Sequence, residues 1–530
     1  MISNVIRIIT TLKYLKLKQI NYQLFYRLKK YFIDINKYNK YNNDQLYTYN
    51  VDQCFEVFPN KELLRENFNF NFLGKSHSFE NKINWNFNEN GKLWNYNLQY
   101  LNYINDDSVD LKTRLTIIND ISKKLIDGDL KLEPYPVSIR IVSLFLFHQN
   151  HPIKCELVLR ALLLQINYLE NNLEYHLLAN HLLENIFSLF IAGHFMNNSS
   201  LIKKSTRLLL RELNEQTLDD GAHYESTPMY HIAILSKLLL CVDISRQAGF
   251  LEQIDLKYLE NQASLMFSWL YSYSFPDGSY ALFNDSALGI YCGTNELKNY
   301  IKFLKLPYKK VKLNQSGFTK LVSNKTEIII KTGNISPSYQ PGHIHSDMLS
   351  YCVWHNGCKV IIDPGVSTYE DNSSRRHDKS TINHNTISIN HENQSDLWSS
   401  FRVGHRSKCK ILKHDENTLQ LSLTNLSKHK NIQHIRSFKL IENQLTIDDK
   451  IINCVITDIL CNNIHFDHKL KLDLNVNKLI SNDFNIEFIS GFNGIKINNF
   501  NQYIYFGEKI SSKKLESIND NHSVMCISFN

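Results

Sequence analysis

No two of the ten cysteines (Cys54, Cys155, Cys241, Cys292, Cys352, Cys358, Cys409, Cys454, Cys461 and Cys526) form a CxxC pair. That scatter argues against both a disulfide framework and a thiolate zinc site. Cysteines in apolar surroundings, such as Cys241 and Cys352, are expected to be small buried hydrophobes in a reducing compartment. No uninterrupted apolar run reaches the ~18 residues of a membrane span, so none is expected. Met1 to Ile9 is too short an apolar run, and too soon followed by lysines, to read as a secretory signal. The expected address is therefore cytoplasmic. No repeat motif is readable, which excludes a TPR or ankyrin array. A broad basic field is missing as well. Net charge is +7, but residues 1–40 hold nine Lys or Arg against Asp34 alone, a net +8, which leaves −1 for the other 490 residues. Basicity is an N-terminal feature, and no nucleic-acid partner is expected.

What is present fits a soluble globular chain of two or three domains: 530 residues, 43% hydrophobic, 21% charged and 12% aromatic. Residues 1–90 read as a basic amphipathic helix followed by a wrapping segment. Val5, Ile8, Ile9, Leu12 and Leu15, then Leu24, Phe25, Leu28 and Phe32, recur at helical spacing among lysines. Such a helix can lie on an anionic membrane, which would make the protein peripheral at the inner membrane through residues 1–40. It can equally dock on its own protein with the lysines facing water. From 91 to 312, helical patterns follow at intervals of about 20 residues, joined by short Gly, Pro, Asp or Asn connectors. Serial antiparallel hairpins of this kind can close into a barrel. From 313 to 530 the period becomes two, in short strands such as FTKLVS, TEIIIKTG and QLTIDDKI, as in an antiparallel sandwich.

Three polar clusters interrupt this pattern. Leu173–Phe195 reads as one buried helix in which His176, Asn180 and Glu184 share a face and His181 flanks it. Four polar groups buried there require partners or a cleft. In DDGAHYESTPMYH (219–231), Ser226 or Thr227 can cap a helix that has Pro228 in its first turn. Tyr230 and His231 then sit where the helix dipole favours an anion such as a phenolate. In PGHIHSDMLSY (341–351), His343 and His345 alternate out of one extended segment and face one side. Asp363 ends an apolar strand and His384 precedes another. His345, Asp363 and His384 form a mixed set that zinc accepts, although a lone HxH is weak in a chain with 21 histidines.

NHLLEN, DDGAHYESTPMYH, PGHIHSDMLSY, VIIDPGVSTY and INHNTISI, in that order, resemble the heparinase II/III and alginate-lyase superfamily. WNYNLQYLNYIN (94–105) and EPYPVSIRI (133–141) are similar to the start of its helical domain, and DLWSSFRVGHR (396–406) to a strand region. The resemblance implies an α+β multidomain fold: an incomplete (α/α) toroid followed by an antiparallel β-sandwich. It implies cleavage of anionic, uronate-containing polysaccharides by β-elimination. It also implies roles: Asn180 with His181 on the substrate carboxylate, Glu184 at a position some members use for this, Tyr230 as catalytic tyrosine and His343 as second acid/base. Arg140 and His231 are further substrate-binding candidates. His345, Asp363 and His384 would hold a structural zinc.

The chemistry explains why such residues are wanted. The proton on C5 of a uronate is weakly acidic because the neighbouring carboxylate is already negative. Amide and imidazole donors on that carboxylate stabilise the enolate-like intermediate. A tyrosine can take the C5 proton and return one to the departing O4, provided nearby cations favour phenolate. Two other readings remain open at this stage. If O4 stays and C5 is reprotonated from the opposite face, the protein is a uronate C5-epimerase, suited to capsule or lipopolysaccharide biosynthesis in a bacterium. If no proton moves, it is a glycan-binding protein on the same fold.

Overall fold

The computed structural model describes residues 2–29, 38, 46–51, 63–65, 68–80 and 82–530. Phe32 of the expected basic helix and Cys54 therefore lie wholly outside the described residues, and the wrapping segment expected over 36–90 lies partly outside them. Within it a small antiparallel sheet (Leu64–Arg65, Asn69–Phe72 and Lys75–Ser78) buries Phe70 and Phe72 against Tyr103 and Trp94.

Helices follow in the order α1 (Ile2–Leu12), α2 (Leu17–Lys29), α3 (Lys92–Tyr100), α4 (Leu111–Ile126), α5 (Pro134–Asn150) and α6 (Glu156–Asn171). Then come α7 (Ala179–Phe195), α8 (Ser199–Gln216), α9 (Pro228–Ala248), α10 (Gln253–Tyr273) and α11 (Thr294–Phe303). From α3 to α11 they form the helical half. Its inner helices are apolar nearly all round, as buried helices must be. In α9 every residue from Pro228 to Ser245 except Lys237 is buried. By length and hydropathy α9 could span a membrane, contrary to the expectation that no such segment exists. It is instead 94% buried inside the protein, as the central core helix.

The helix expected over 173–195 begins only at Ala179. Residues 173–178 form a turn, and Leu178 and Ala179 take left-handed backbone (φ 63° and 53°) before the helix starts. His176 is therefore not on the helix and does not share a face with Asn180 and Glu184.

The last helix of the helical half ends at Phe303, and the strands of the second half begin at Phe318. A four-stranded antiparallel meander (Phe318–Ser323, Thr326–Lys331, Tyr351–His355 and Cys358–Ile361) packs across one apolar layer from a ten-stranded antiparallel sheet. Strands such as Gln433–Ile441 and Gln444–Ile452 alternate buried with open positions, so the period of two marks a sheet with one face on the core. Beyond residue 455, where no motif is readable, lie the two longest strands, Phe484–Tyr505 and Glu508–Phe529. They pair as one hairpin whose turn reaches the helical half, where the backbone N–H of Leu288 donates to the Ile504 carbonyl at 2.8 Å.

α1 and α2 lie across both halves. Arg7 pairs with Asp396 at 2.7 and 2.8 Å, and Trp398 donates its indole N–H to Thr11 at 3.1 Å. Further along, Lys16 meets Glu215, Gln19 donates to the Tyr339 carbonyl, and the Tyr26 hydroxyl donates to the Leu173 carbonyl.

Candidate active site

The site forms where the first turns of α7 and α9 face the loops that connect the strands. Three of its approaches carry left-handed non-glycine backbone: Leu178–Ala179 before Asn180, Ser226 (φ 50°) before α9, and Asn284 (φ 61°) before Asp285. Such residues cost free energy and persist only where the surroundings over-determine them, a pattern that gathers at functional sites.

On the helical side, the Asn180 amide nitrogen donates to both oxygens of Glu225, at 2.9 and 3.2 Å, while its buried Oδ1 has no partner. Glu225 is buried beside the His223 ring, 3.6 Å away. Burial lifts its pKa above the ordinary carboxylic range, against the lowering effect of His343, Asn180 and His181. His181 accepts partial shelter from the Tyr135 ring, at 4.4 Å between centroids, and meets Glu174 at 3.2 Å. Burial disfavours its charge, but Glu174, Glu225 and Glu184 outweigh that and raise its pKa above that of a free imidazole.

Tyr230 lies in the first turn of α9, after Pro228 at its start. Its ring packs on His343 at 4.1 Å between centroids, and its hydroxyl sits 3.3 Å from that of Tyr369. The expectation that the helix start favours a phenolate is corrected here. Burial, reinforced by Tyr369 and Tyr291, pushes the Tyr230 pKa well above its ordinary value, so the group rests as a neutral phenol.

The strand side is organised around Asp285, a residue of the helical half. His343 Nδ1 lies 2.9 Å from Asp285 Oδ2, His345 Nε2 lies 2.8 Å from Oδ1, and Arg375 spans both oxygens. Burial opposes charge on Asp285, but the Arg375 guanidinium and the two imidazoles hold its pKa well below the usual range. The contact orients the His343 ring and leaves Nε2 as the nitrogen that Asp285 does not engage. Arg375 stacks over Tyr369 and Phe401 at 4.9 and 5.3 Å. The tip of the long hairpin completes this wall. Phe506 meets Tyr369 edge-on at 4.8 Å, in one apolar cluster with Met229 and Tyr230.

Among the sequence candidates, the structure brings Asn180, His181, Tyr230 and His343 to this region. It removes two others. Arg140 is fully buried in the helical core, bonded to Gln165 and the Gln99 carbonyl, and cannot reach a substrate. His231 uses both ring nitrogens on backbone, accepting from the His223 N–H and facing the Met266 carbonyl, each at 3.0 Å. Glu184 is buried against Lys237 at 3.1 Å, so its charge is already paired. His343 and His345 do not sit on a strand, because 341–349 is a chain of turns. They share a direction by gripping opposite oxygens of one carboxylate. Asp285, Glu225, Tyr369, Arg375 and Phe506 were not identified from sequence. Glu225 and Tyr369 lie inside the quoted motifs, but Asp285 has no signal beyond a turn.

Two of the three expected metal ligands, Asp363 and His384, lie together, and Asp347 joins them. Among the described residues, the donor atoms that converge within 4.8 Å belong to Asp347, Asp363 and His384, with Asp347 in the place expected for His345. His345 gives Nε2 to Asp285. Its Nδ1, together with His384 Nε2 and Asp347 Oδ2, is buried without a partner. Orphaned buried nitrogen and oxygen atoms in such a group fit a divalent cation, although Lys331 already contacts the other oxygen of Asp347.

The chain matches the family described as Heparinase II/III N-terminus over residues 137–308. It matches Heparinase II/III-like, C-terminal, over 306–466, so the two together span more than half of the chain. It is similar to a heparin-sulfate lyase of Bacteroides stercoris, 25% identical over 304 residues, covering 51% of this chain but only 43% of that protein. Among solved structures it resembles heparinase III (TM-score 0.66, 16% identity, 93% of this chain and 88% of that one). It also resembles the heparan sulfate lyase HepC mutant of Pedobacter heparinus (TM-score 0.55, 17% identity, 95% and 87%). These likenesses establish the fold as a helical toroid joined to a β-sandwich. With the N-terminal match containing Asp285 and the C-terminal match containing His343, and the two together spanning more than half of the sequence, the chain belongs to the heparinase II/III family.

Proposed function

We propose that the protein is a polysaccharide lyase that cleaves an anionic, uronate-containing glycan by β-elimination. The observation that carries this reading is the packing of the neutral Tyr230 phenol on His343, whose Nδ1 is fixed by Asp285, opposite the Asn180 and His181 donors. The Asn180 amide donates to Glu225, and the carboxylates around His181 raise its pKa and so favour its cation. Both suit a uronate carboxylate as charge develops on it. His343 Nε2 is the base that removes the C5 proton. The C5 electrons form the C4–C5 double bond as the C4–O4 bond breaks, and the Tyr230 hydroxyl donates its proton to departing O4. This assigns the tyrosine as acid, the role its raised pKa favours. The related heparin-sulfate lyase supports a sulfated uronate glycan as the first substrate to try.

The test is incubation with a panel of uronate glycans in D2O. Ultraviolet absorbance of an unsaturated product is expected. Deuterium uptake at C5 without absorbance would overturn cleavage in favour of epimerisation, and neither signal across the panel would favour binding alone.

We also propose that Asp347, Asp363 and His384, with His345 alongside, hold one structural zinc. Bound there, it would brace the segment that carries His343 and take no part in proton transfer. Elemental analysis of protein purified without added metal should find one zinc per chain. No stoichiometric metal, or full retention in His384→Ala, would defeat the assignment.

A further inference from the structure

α1 and α2 are amphipathic, and they sit on the protein the wrong way round. Their inward contacts are polar and aromatic: Arg7, Thr11 and Gln19 meet Asp396, Trp398 and Tyr339, the Tyr14 ring receives Arg406 at 3.6 Å, and Tyr22 and Tyr26 pack on Tyr175 and His176. Their outward face is apolar. Val5, Ile8, Ile9 and Leu12 follow the i, i+3, i+4, i+7 row of one helix face, and all are between 47% and 59% exposed. Leu17, Leu24 and Leu28 continue the row on α2, between 55% and 77% exposed. A folded chain normally turns such a row onto its core, and contiguous exposed apolar rows mark interaction surfaces.

We infer that this face docks on an anionic lipid surface. The argument from shape is the helix pair itself, each helix with exposed apolar residues along its length, as interfacial helices have. The argument from charge selects the partner. Residues 1–40 carry nine Lys or Arg against one Asp. Asp396 and Glu215 are already paired with Arg7 and Lys16, and Lys13 and Arg27 remain exposed beside the row. A second copy of this chain would bring the same positive charge against itself across a two-fold axis, whereas anionic headgroups complement it. The dock also adjoins the cleft. The strand pair Leu397–Trp398 and Arg402–Val403, which α1 grips through Trp398, carries Phe401, whose ring lies 6.0 Å from His343. A docked protein would thus hold the active-site rim near the headgroups. The inference does not depend on the lyase reading, and its test requires no turnover.

Purified full-length protein is sedimented with vesicles of mixed phosphatidylglycerol and phosphatidylcholine, and separately with phosphatidylcholine alone. It should pellet with the anionic vesicles only and release as salt is raised, because screening shortens the reach of the lysines. The triple variant Ile8→Gln, Ile9→Gln, Leu24→Gln should lose at least ~10-fold in vesicle affinity, as the apolar row supplies the insertion. Its thermal unfolding should stay close to that of the parent, since the three side chains are about half exposed. Full-length protein that stays in the supernatant overturns the inference, as does a triple variant that pellets equally. A dimer seen by light scattering, abolished by the same variant, would assign the face to a second copy instead.

Discussion

The two walls of the candidate site hold their polar groups by different means. On the helical wall, Asn180 and Tyr230 are set by backbone: each lies at the start of a buried helix, behind a left-handed residue that fixes the chain's entry. On the strand wall, His343 and Arg375 come from turns and a short helix (Ser373–Asp378), and a single buried carboxylate holds them. Helix starts position a side chain through many cooperative backbone bonds, so losing one polar contact shifts it little. A charge hub concentrates the same task in one group, and removing that group leaves the others buried and unpaired. Asp285 belongs to the helical half while its partners belong to the strand half, so it also fixes the register of the two walls.

The sharpest way to break this comparison is Asp285→Ala. It leaves Arg375 buried without its partner, and a loss of about 3–5 kcal/mol in denaturant unfolding is expected together with loss of turnover. Stability like that of the parent would mean that the strand wall does not depend on the hub.

Tyr230→Phe should behave in the opposite way. The ring remains packed on His343, unfolding should be little changed, and kcat should fall by ~10²-fold or more because the O4 proton donor is gone. Near-parental kcat would remove Tyr230 from the mechanism.

A smaller effect is expected at Asn180→Ala: kcat should fall by about tenfold with KM nearly constant, because the carboxylate contact strengthens as the enolate forms. A raised KM with unchanged kcat would make the contact one of uniform binding.

The smallest effect concerns pH. His181 has a raised pKa, so its cation persists above the usual imidazole range and is lost as pH rises. The profile of kcat/KM should show that loss as an alkaline limb, and His181→Gln should lack it. An unchanged limb in the variant would assign it to another group.

Much of the fold was readable because periodicity is local. The helical pattern from residue 91 and the alternation after 313 appear as helices ending at Phe303 and strands beginning at Phe318. Asn180, His181, Tyr230 and His343 were readable through motif order. Their partners were not. Asp285 lies 58 residues from His343 and 90 from Arg375 in the chain, and no spacing rule relates positions that far apart. Phe506 comes from a stretch that carries no motif. Arg140 and His231 were over-read for the complementary reason: residue type announces a capacity to bind, whereas burial decides whether anything can reach it.

By itself, then, the sequence determined the order of a helical half and a strand half, the N-terminal concentration of positive charge, and four side chains with the right chemistry. Each of these is a property of neighbours along the chain. Only the tertiary structure decided that burial raises the Tyr230 pKa, that Asp347 converges with Asp363 and His384, and that α1 and α2 leave an apolar row exposed. All three depend on what surrounds a group in space. Desolvation raises a phenol's pKa whatever its sequence context, a ligand set is defined by converging atoms, and an amphipathic helix has two faces of which only packing can choose the one that points inward.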